Sequence, residues 1–414
     1  MKFLLIKILL VISIILLNTE DTSSQIIVDK NGKIKTITEA ISIAQDGDEI
    51  IVKAGEYKEG NILISKSVKL IAAGEVIIDG EGKTEVLTVT ADNVEIKGFT
   101  IINAGISYLQ ENAAIKLEEV INCVVEDNKL INNFFGVYLA KSENCTIRNN
   151  EIKSDGKTES SSGNGIHLWY CKNIRIESNN ISGHRDGIYL EFVQEALIEN
   201  NFSEKNLRYG LHFMFSDKCV YSYNQFQKNG AGVAVMYSKN VKMNENTFND
   251  NWGPASYGLL LKDISESSIE RNQFRSNTTG IYIEGSGRSK IQNNVFEKNG
   301  WAIKLMANSM NNQFERNDFI ANSFDVATNS RQNFNTFENN YYSKYKGYDL
   351  TKNGIGDVPY RPVKLYSIIV EQQPPSLVLL HSLFIELLDI AESVFPSLTP
   401  EALVDNSPSM RRIN

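Results

Sequence analysis

Asparagine followed one or two residues later by Phe, Ile, Leu or Tyr recurs ten times along this chain, and no other feature limits its fold so tightly. The phrase runs Asn128-Lys129-Leu130, Asn150-Glu151-Ile152, Asn180-Ile181, Asn201-Phe202 and Asn224-Gln225-Phe226. It continues as Asn246-Thr247-Phe248, Asn272-Gln273-Phe274, Asn294-Val295-Phe296, Asn317-Asp318-Phe319 and Asn340-Tyr341-Tyr342. Nine steps cover the 212 residues from Leu130 to Tyr342, so each repeat is about two dozen residues, the length of one solenoid coil. Asparagine itself is abundant: 45 residues of 414, against 42 for lysine and arginine together. It tolerates left-handed backbone and bonds neighbouring amides, so this abundance implies many similar turns.

Two further phrases keep the same period. One is Gly136-Val137-Tyr138-Leu139, Gly165-Ile166-His167-Leu168, Gly187-Ile188-Tyr189-Leu190 and Gly210-Leu211-His212-Phe213, continuing to Gly280-Ile281-Tyr282-Ile283. The other includes Asn93-Val94-Glu95-Ile96, Asn173-Ile174-Arg175-Ile176 and Asn240-Val241-Lys242-Met243. Each alternates apolar with polar, the period of a strand buried on one face. Three short strands per repeat predict an all-β, right-handed parallel β-helix of about a dozen coils. Equivalent residues should then stack about 4.8 Å apart as ladders.

The ends differ from the repeat. Lys2 and Lys7 flank the start of an apolar run, Ile8 to Leu17, that is too short to span a membrane as a mature helix. Residues 1–24 therefore read as a secretory signal, with Thr22-Ser23-Ser24 before the cleavage point. No cysteine lies nearby to carry a lipid anchor. Residues 25–345 form the solenoid, with Thr36 to Ala44 as a short amphipathic helix capping its first coil. Residues 346–414 supply a turn, an amphipathic helix over 377–395 and a polar, extended tail. A net charge of −8 argues against a nucleic-acid partner, which needs clustered positive charge.

Cys123, Cys145 and Cys219 take inward positions of the third phrase, where cysteine acts as a small hydrophobe; Cys171 falls outside that ladder. The spacing would allow a Cys123–Cys145 disulfide in an oxidising compartment, although nothing in the pattern demands one. The outward positions of the Gly-led phrase carry more chemistry. One ladder reads Tyr138, His167, Tyr189, His212, Ala234, Leu260, Tyr282; its neighbour reads Ala140, Trp169, Glu191, Met214, Met236, Lys262, Glu284. His212, Met214 and Met236 thus meet on one face, and imidazole with thioether suits copper, Cu(I) above all. Outward methionine suits a protein-contact patch equally well. His167, Trp169, Tyr189 and Glu191 are the adjoining candidates for partner contact. A carbohydrate-active β-helix is the rival reading, with His184-Arg185-Asp186 and Glu191 its best local residues, but no carboxylate cluster repeats on one face.

Several segments resemble the NosD family of exported accessory proteins for nitrous oxide reductase maturation. Thr36-Ile37-Thr38-Glu39-Ala40 through Gly55-Glu56-Tyr57 is common to many β-helix proteins. Far more specific are the stretches from Asn206 to Ser216 and from Asn229 to Ser238, then Gly354-Ile355-Gly356-Asp357-Val358-Pro359-Tyr360-Arg361-Pro362 and Asp405-Asn406-Ser407-Pro408. The resemblance implies a periplasmic, non-enzymatic β-helix, membrane-associated through an ABC transporter permease and its ATPase. It would assist assembly of the reductase's copper-sulfide centre, with the reductase and a copper chaperone as further partners. It also implies copper contact at His212, Met214 and Met236, and makes Leu380, Phe384, Leu387 and Leu388 of the 377–395 helix candidates for docking the permease. The family's acidic turn is present from Asp349 to Asp357, but Thr351 and Lys352 dilute its charge, so a calcium site is not expected.

Overall fold

A computed structural model describes residues 24–107, 110–330, 332–380, 382–395 and 403–414. The expected signal segment, residues 1–23, lies outside them. The chain winds into a parallel β-solenoid of about 14 turns with three strand faces, called sheets A, B and C; A and B join at the long strand Lys69–Asp79 into one 25-stranded sheet, and C is separate. Sheet A holds the strands of the Asn-Val-Glu-Ile type, such as Thr146–Arg148 and Arg175–Glu177. Sheet B holds those that follow the repeating asparagine, such as Glu151–Lys153 and Asn180–Ser182. Sheet C holds twelve strands, from Ile62–Ile64 to Phe324–Thr328, the Gly-led ones among them. Strands pair with the equivalent strand one coil away: Thr146 with Arg175, Glu151 with Asn180, Val137 with Ile166.

Alternation within each strand fills the interior with ladders of like residues. Phe226, Phe248, Phe274, Phe296, Phe319 and Tyr342 stack at centroid spacings of 5.5, 4.6, 4.9, 5.1 and 4.9 Å, all buried. The asparagines between sheets A and B form a second continuous ladder. The backbone N–H and Nδ2 of Asn201 both donate to Oδ1 of Asn224, at 2.9 and 3.0 Å, and Nδ2 also donates to the Ile176 carbonyl at 2.8 Å. Each buried amide thus satisfies the turn above it, which removes the cost of an unpaired backbone group at every corner. A parallel ladder of Asn206, Asn229, Asn251, Asn277, Asn299 and Asn322 serves the corner between sheets B and C.

Both ends are closed. Helix α1, Ile37–Ile43, begins at Thr36, whose side chain accepts from the Glu39 amide, and it buries Ile37, Ala40 and Ile41 as expected. At the other end the tail is more than an extended polar strand. Asp405 pairs with Phe337 in parallel and accepts from the backbone N–H and Nδ2 of Asn340, both at 3.0 Å. Its carboxylate stands where the next asparagine of the ladder would be.

The predicted helix over 377–395 is shorter and has a companion. Helix α2, Leu365–Gln372, comes first and stops before Pro374, because the residue preceding proline avoids helical backbone. A short 3-10 segment, Pro374–Leu379, leads to helix α3, Leu383–Val394. Phe324, Tyr366, Val370 and Ile385 form a small core joining both helices to the last sheet C strand. Glu392 accepts from the Leu365 amide at 2.7 Å, and Lys304 pairs with Glu371 at 2.6 Å.

Candidate functional site

The two outward ladders of sheet C exist as the sequence pattern placed them. Strands Phe135–Ala140, Ile166–Trp169, Asp186–Glu191, Tyr209–Met214, Ala231–Met236 and Tyr257–Lys262 pair in order. Their register aligns Tyr138, His167, Tyr189, His212, Ala234 and Leu260 in one row. The neighbouring row aligns Trp169, Glu191, Met214, Met236 and Lys262. Met214 and Met236 are direct cross-strand partners, and both are half-buried.

The expectation of a solvated row needs correction. His167 is 9% exposed and His212 3%, although both point away from the solenoid interior. Neighbouring rings shield them. Tyr138, His167, Tyr189 and His212 follow one another along the axis at 4.8, 4.8 and 4.7 Å, tilted, edge-to-face and stacked in turn; Phe135 leans on His167 at 5.4 Å and Tyr209 covers His212 at 4.8 Å. Burial pushes the His167 imidazole down to about 3, with the Arg185 charge adding to the effect, and raises the Tyr189 phenol to about 12. His167 is therefore neutral across the physiological range.

An ion pair lies under this row. Asp186, fully buried, receives Arg208 through Nε at 2.9 Å and Nη2 at 2.5 Å, and its Oδ2 lies 3.4 Å from Nδ1 of His212. Burial alone would raise the Asp186 carboxyl; the hydrogen bonds from Arg208 and His212 outweigh it and hold the group at about 2. His184 is not on the outer face. It takes the corner slot that Asn206 fills one coil later, its amide donating to that asparagine's Oδ1 at 3.1 Å. The Nε2 atoms of His167, His184 and His212 are all buried without a hydrogen-bond partner.

A feature the sequence reading passed over flanks the methionines. Tyr170, Phe192, Phe215 and Tyr237 follow directly after Trp169, Glu191, Met214 and Met236, and stack at 4.6, 5.2 and 5.0 Å while staying 37–52% exposed. All four have left-handed backbone, φ 51–55°, which is costly for an aromatic residue. Elsewhere in the chain that conformation falls mostly to Asn, Lys, Glu and Asp. The signal was present as an aromatic in four successive coils, one place beyond the ladder that was aligned.

Of the four residues expected on this helix, Leu380 lies before α3, which starts at Leu383, and the other three lie on it. Leu380 and Leu388 turn toward the core of Phe324, Tyr366, Val370 and Ile385, so they anchor the helix. Phe384 and Leu387 face outward at 59% and 56% exposure, with Leu383, Ile390 and Val394 similarly open. The four cysteines are buried thiols, and no disulfide joins them. In the Asp349 turn, both carboxylates serve their own loop: Asp349 accepts from the Gly354 amide at 2.7 Å and Asp357 from the Leu350 amide at 2.6 Å.

Two segments, residues 41–160 and 148–347, match the family described as periplasmic copper-binding protein (NosD). The chain belongs to the NosD family. A relative from Pseudomonas aeruginosa, named a probable ABC transporter binding protein NosD, is 30% identical and covers 90% of this chain and 91% of its own length. One of the same name from Stutzerimonas stutzeri is 28% identical over 86% of each. Both NosD relatives are named as binding proteins. Among solved structures, a Yersinia enterocolitica family 28 exopolygalacturonase has a TM-score of 0.56 at 10% identity, covering 76% of this chain and 78% of its own. The Streptococcus pneumoniae surface adhesin PfbA has 0.52 at 13%, covering 78% and 92%. An enzyme and an adhesin sharing one solenoid speak for the fold alone. Among the described residues no helix is long and apolar enough to cross a membrane.

Proposed function

We propose that the protein is a periplasmic, non-enzymatic accessory factor that works with an ABC transporter ATPase and permease. In this reading it supports assembly of the copper-sulfide centre of nitrous oxide reductase. Copper is the cargo, held in passage by His212, Met214 and Met236. The observation that carries the reading is the buried, unpartnered Nε2 of His212 on the same face as two methionines in cross-strand register. An orphaned imidazole nitrogen beside two thioethers is a soft, neutral donor set, which favours Cu(I) over harder cations.

The surroundings supply contact surfaces. Trp169, Glu191 and the aromatic rail from Tyr170 to Tyr237 would meet the reductase or a copper chaperone. His167 and Tyr189, being largely shielded, would shape that face from beneath. The open side of α3, with Phe384 and Leu387, would dock the permease, while Leu380 and Leu388 hold the helix in place. Hydrolytic chemistry has less support, because Asp186 is engaged by Arg208 and His184 is enclosed. The test is complementation of a strain lacking the chain. His212→Ala/Met214→Ala/Met236→Ala should yield exported reductase without its copper-sulfide absorption; wild-type reductase from that strain would refute copper transfer at this site.

A further inference from the structure

His167 and His212 occupy one ladder, two coils apart, and both leave Nε2 unpartnered. What faces their Nδ1 atoms differs. At His167 it is the Asn164 amide nitrogen, 3.2 Å away, and Asn164 Oδ1 is already occupied by Nε of Arg185 at 3.3 Å. The asparagine therefore offers N–H to Nδ1, and the neutral ring must carry its proton on Nε2. At His212 the facing group is the Asp186 carboxylate, 3.4 Å away, likewise held by an arginine. A carboxylate can only accept, so Nδ1 of His212 must be the donor; of the two neutral tautomers this contact selects the one with its proton on Nδ1 and the lone pair on Nε2.

We infer that Asp186, fixed by Arg208, is a positioning residue that keeps His212 Nε2 open as a metal ligand, whereas Asn164, fixed by Arg185, closes His167 to metal by putting the proton on its Nε2. The two sites repeat one arrangement, an arginine on an Asx side chain on a histidine, and differ by amide against carboxylate. Stacking on Tyr189 at 4.7 Å and a tilted contact with Tyr209 at 4.8 Å hold the His212 ring in place, so the carboxylate needs only to choose the nitrogen. His184 also lacks an Nε2 partner, but it lies within the solenoid corner and cannot meet cargo on the outer face. This inference rests on the copper reading for its purpose, and on hydrogen-bond geometry for its substance.

The two parts separate by experiment. Selective 15N-histidine labelling of the purified protein, with two-bond 15N–1H correlation, reads the tautomer of each ring without any metal. The account expects an Nδ1–H signature for His212 and an Nε2–H signature for His167. Asp186→Asn should flip His212 to Nε2–H, and Asn164→Asp should move the His167 proton to Nδ1 while leaving His212 unchanged. Cu(I) affinity, measured against a chelator, should fall roughly 10- to 100-fold in Asp186→Asn, the usual cost of losing an outer-shell partner. A His212 Nε2–H signature in the wild type, or no change in Asp186→Asn, overturns the assignment. If Asp186→Asn does not fold, the wild-type spectrum and Asn164→Asp still decide it. Correct tautomers with no Cu(I) binding would sustain the positioning role and refute copper as the cargo.

Discussion

The interior of this solenoid and the outer face of its sheet C are built on the same strands, yet they obey opposite rules. Inside, one chemistry repeats: Phe226 to Phe319 on one row, Asn201 to Asn340 on another, each rung satisfied by the next. Outside, between Tyr138 and Leu260, the rungs of the row differ: tyrosine, histidine, tyrosine, histidine, alanine, leucine. Repetition is what a stack of identical turns needs to bury its backbone and fill its core. Where repetition lapses on the outer side of those strands, with histidines buried among tyrosines, a requirement beyond the repeat has chosen the residues.

Substitutions should separate the two regions sharply. Phe274→Ala removes a fully buried ring from the middle of the phenylalanine stack, between Phe248 and Phe296, and should cost about 3–5 kcal/mol in urea unfolding. A loss below about 1 kcal/mol would mean that the interior ladder is not what holds the coils together.

Acid should act next. Burial depresses the folded-state values of His184 to about 4 and His167 to about 3. Each is neutral in the fold, so its contribution is complete above the unfolded value near 6.5 and is lost as pH falls from there. Stability should decline by about 1.4 kcal/mol per pH unit for each histidine between pH 6.5 and 4. His184→Asn, which restores the corner asparagine, should roughly halve that slope in thermal melts taken across the range. An unchanged slope would place the acid sensitivity elsewhere.

The outer face should be nearly silent in stability and loud in function. Met214→Leu/Met236→Leu conserves volume at two half-buried positions and should cost less than about 1.5 kcal/mol, while Cu(I) retention falls. Smallest of all, Phe215→Asn exchanges a stacked aromatic for a residue at ease in left-handed backbone. Melting should shift by no more than about 1 kcal/mol in either direction, while pull-down of the reductase or chaperone weakens. A large destabilisation from Phe215→Asn would make the rail a structural device.

The contrast also explains what could be read in advance. The strands, the corners and the cap at Thr36–Ala44 were legible because period and burial are written in residue type. Register followed too, since pairing equivalent residues of successive repeats placed His212, Met214 and Met236 on one face. Burial of His212 was not legible, because it depends on Tyr209 and Asp186, residues outside the aligned row. The closing role of Asp405 was hidden as well: it completes the asparagine ladder from 65 residues beyond Asn340, with two helices in between. Helix α2 was missed because Leu365 to Val370 is an apolar, β-branched run that does not announce a helix.

The most direct measurement is anaerobic Cu(I) titration of the purified protein against a competing chelator, with His212→Ala/Met214→Ala/Met236→Ala alongside. The account predicts one tight equivalent in the wild type that the triple variant loses, with both proteins folded at the temperature of the titration. Equal binding by the two proteins, or none by either, would contradict a copper site on this face.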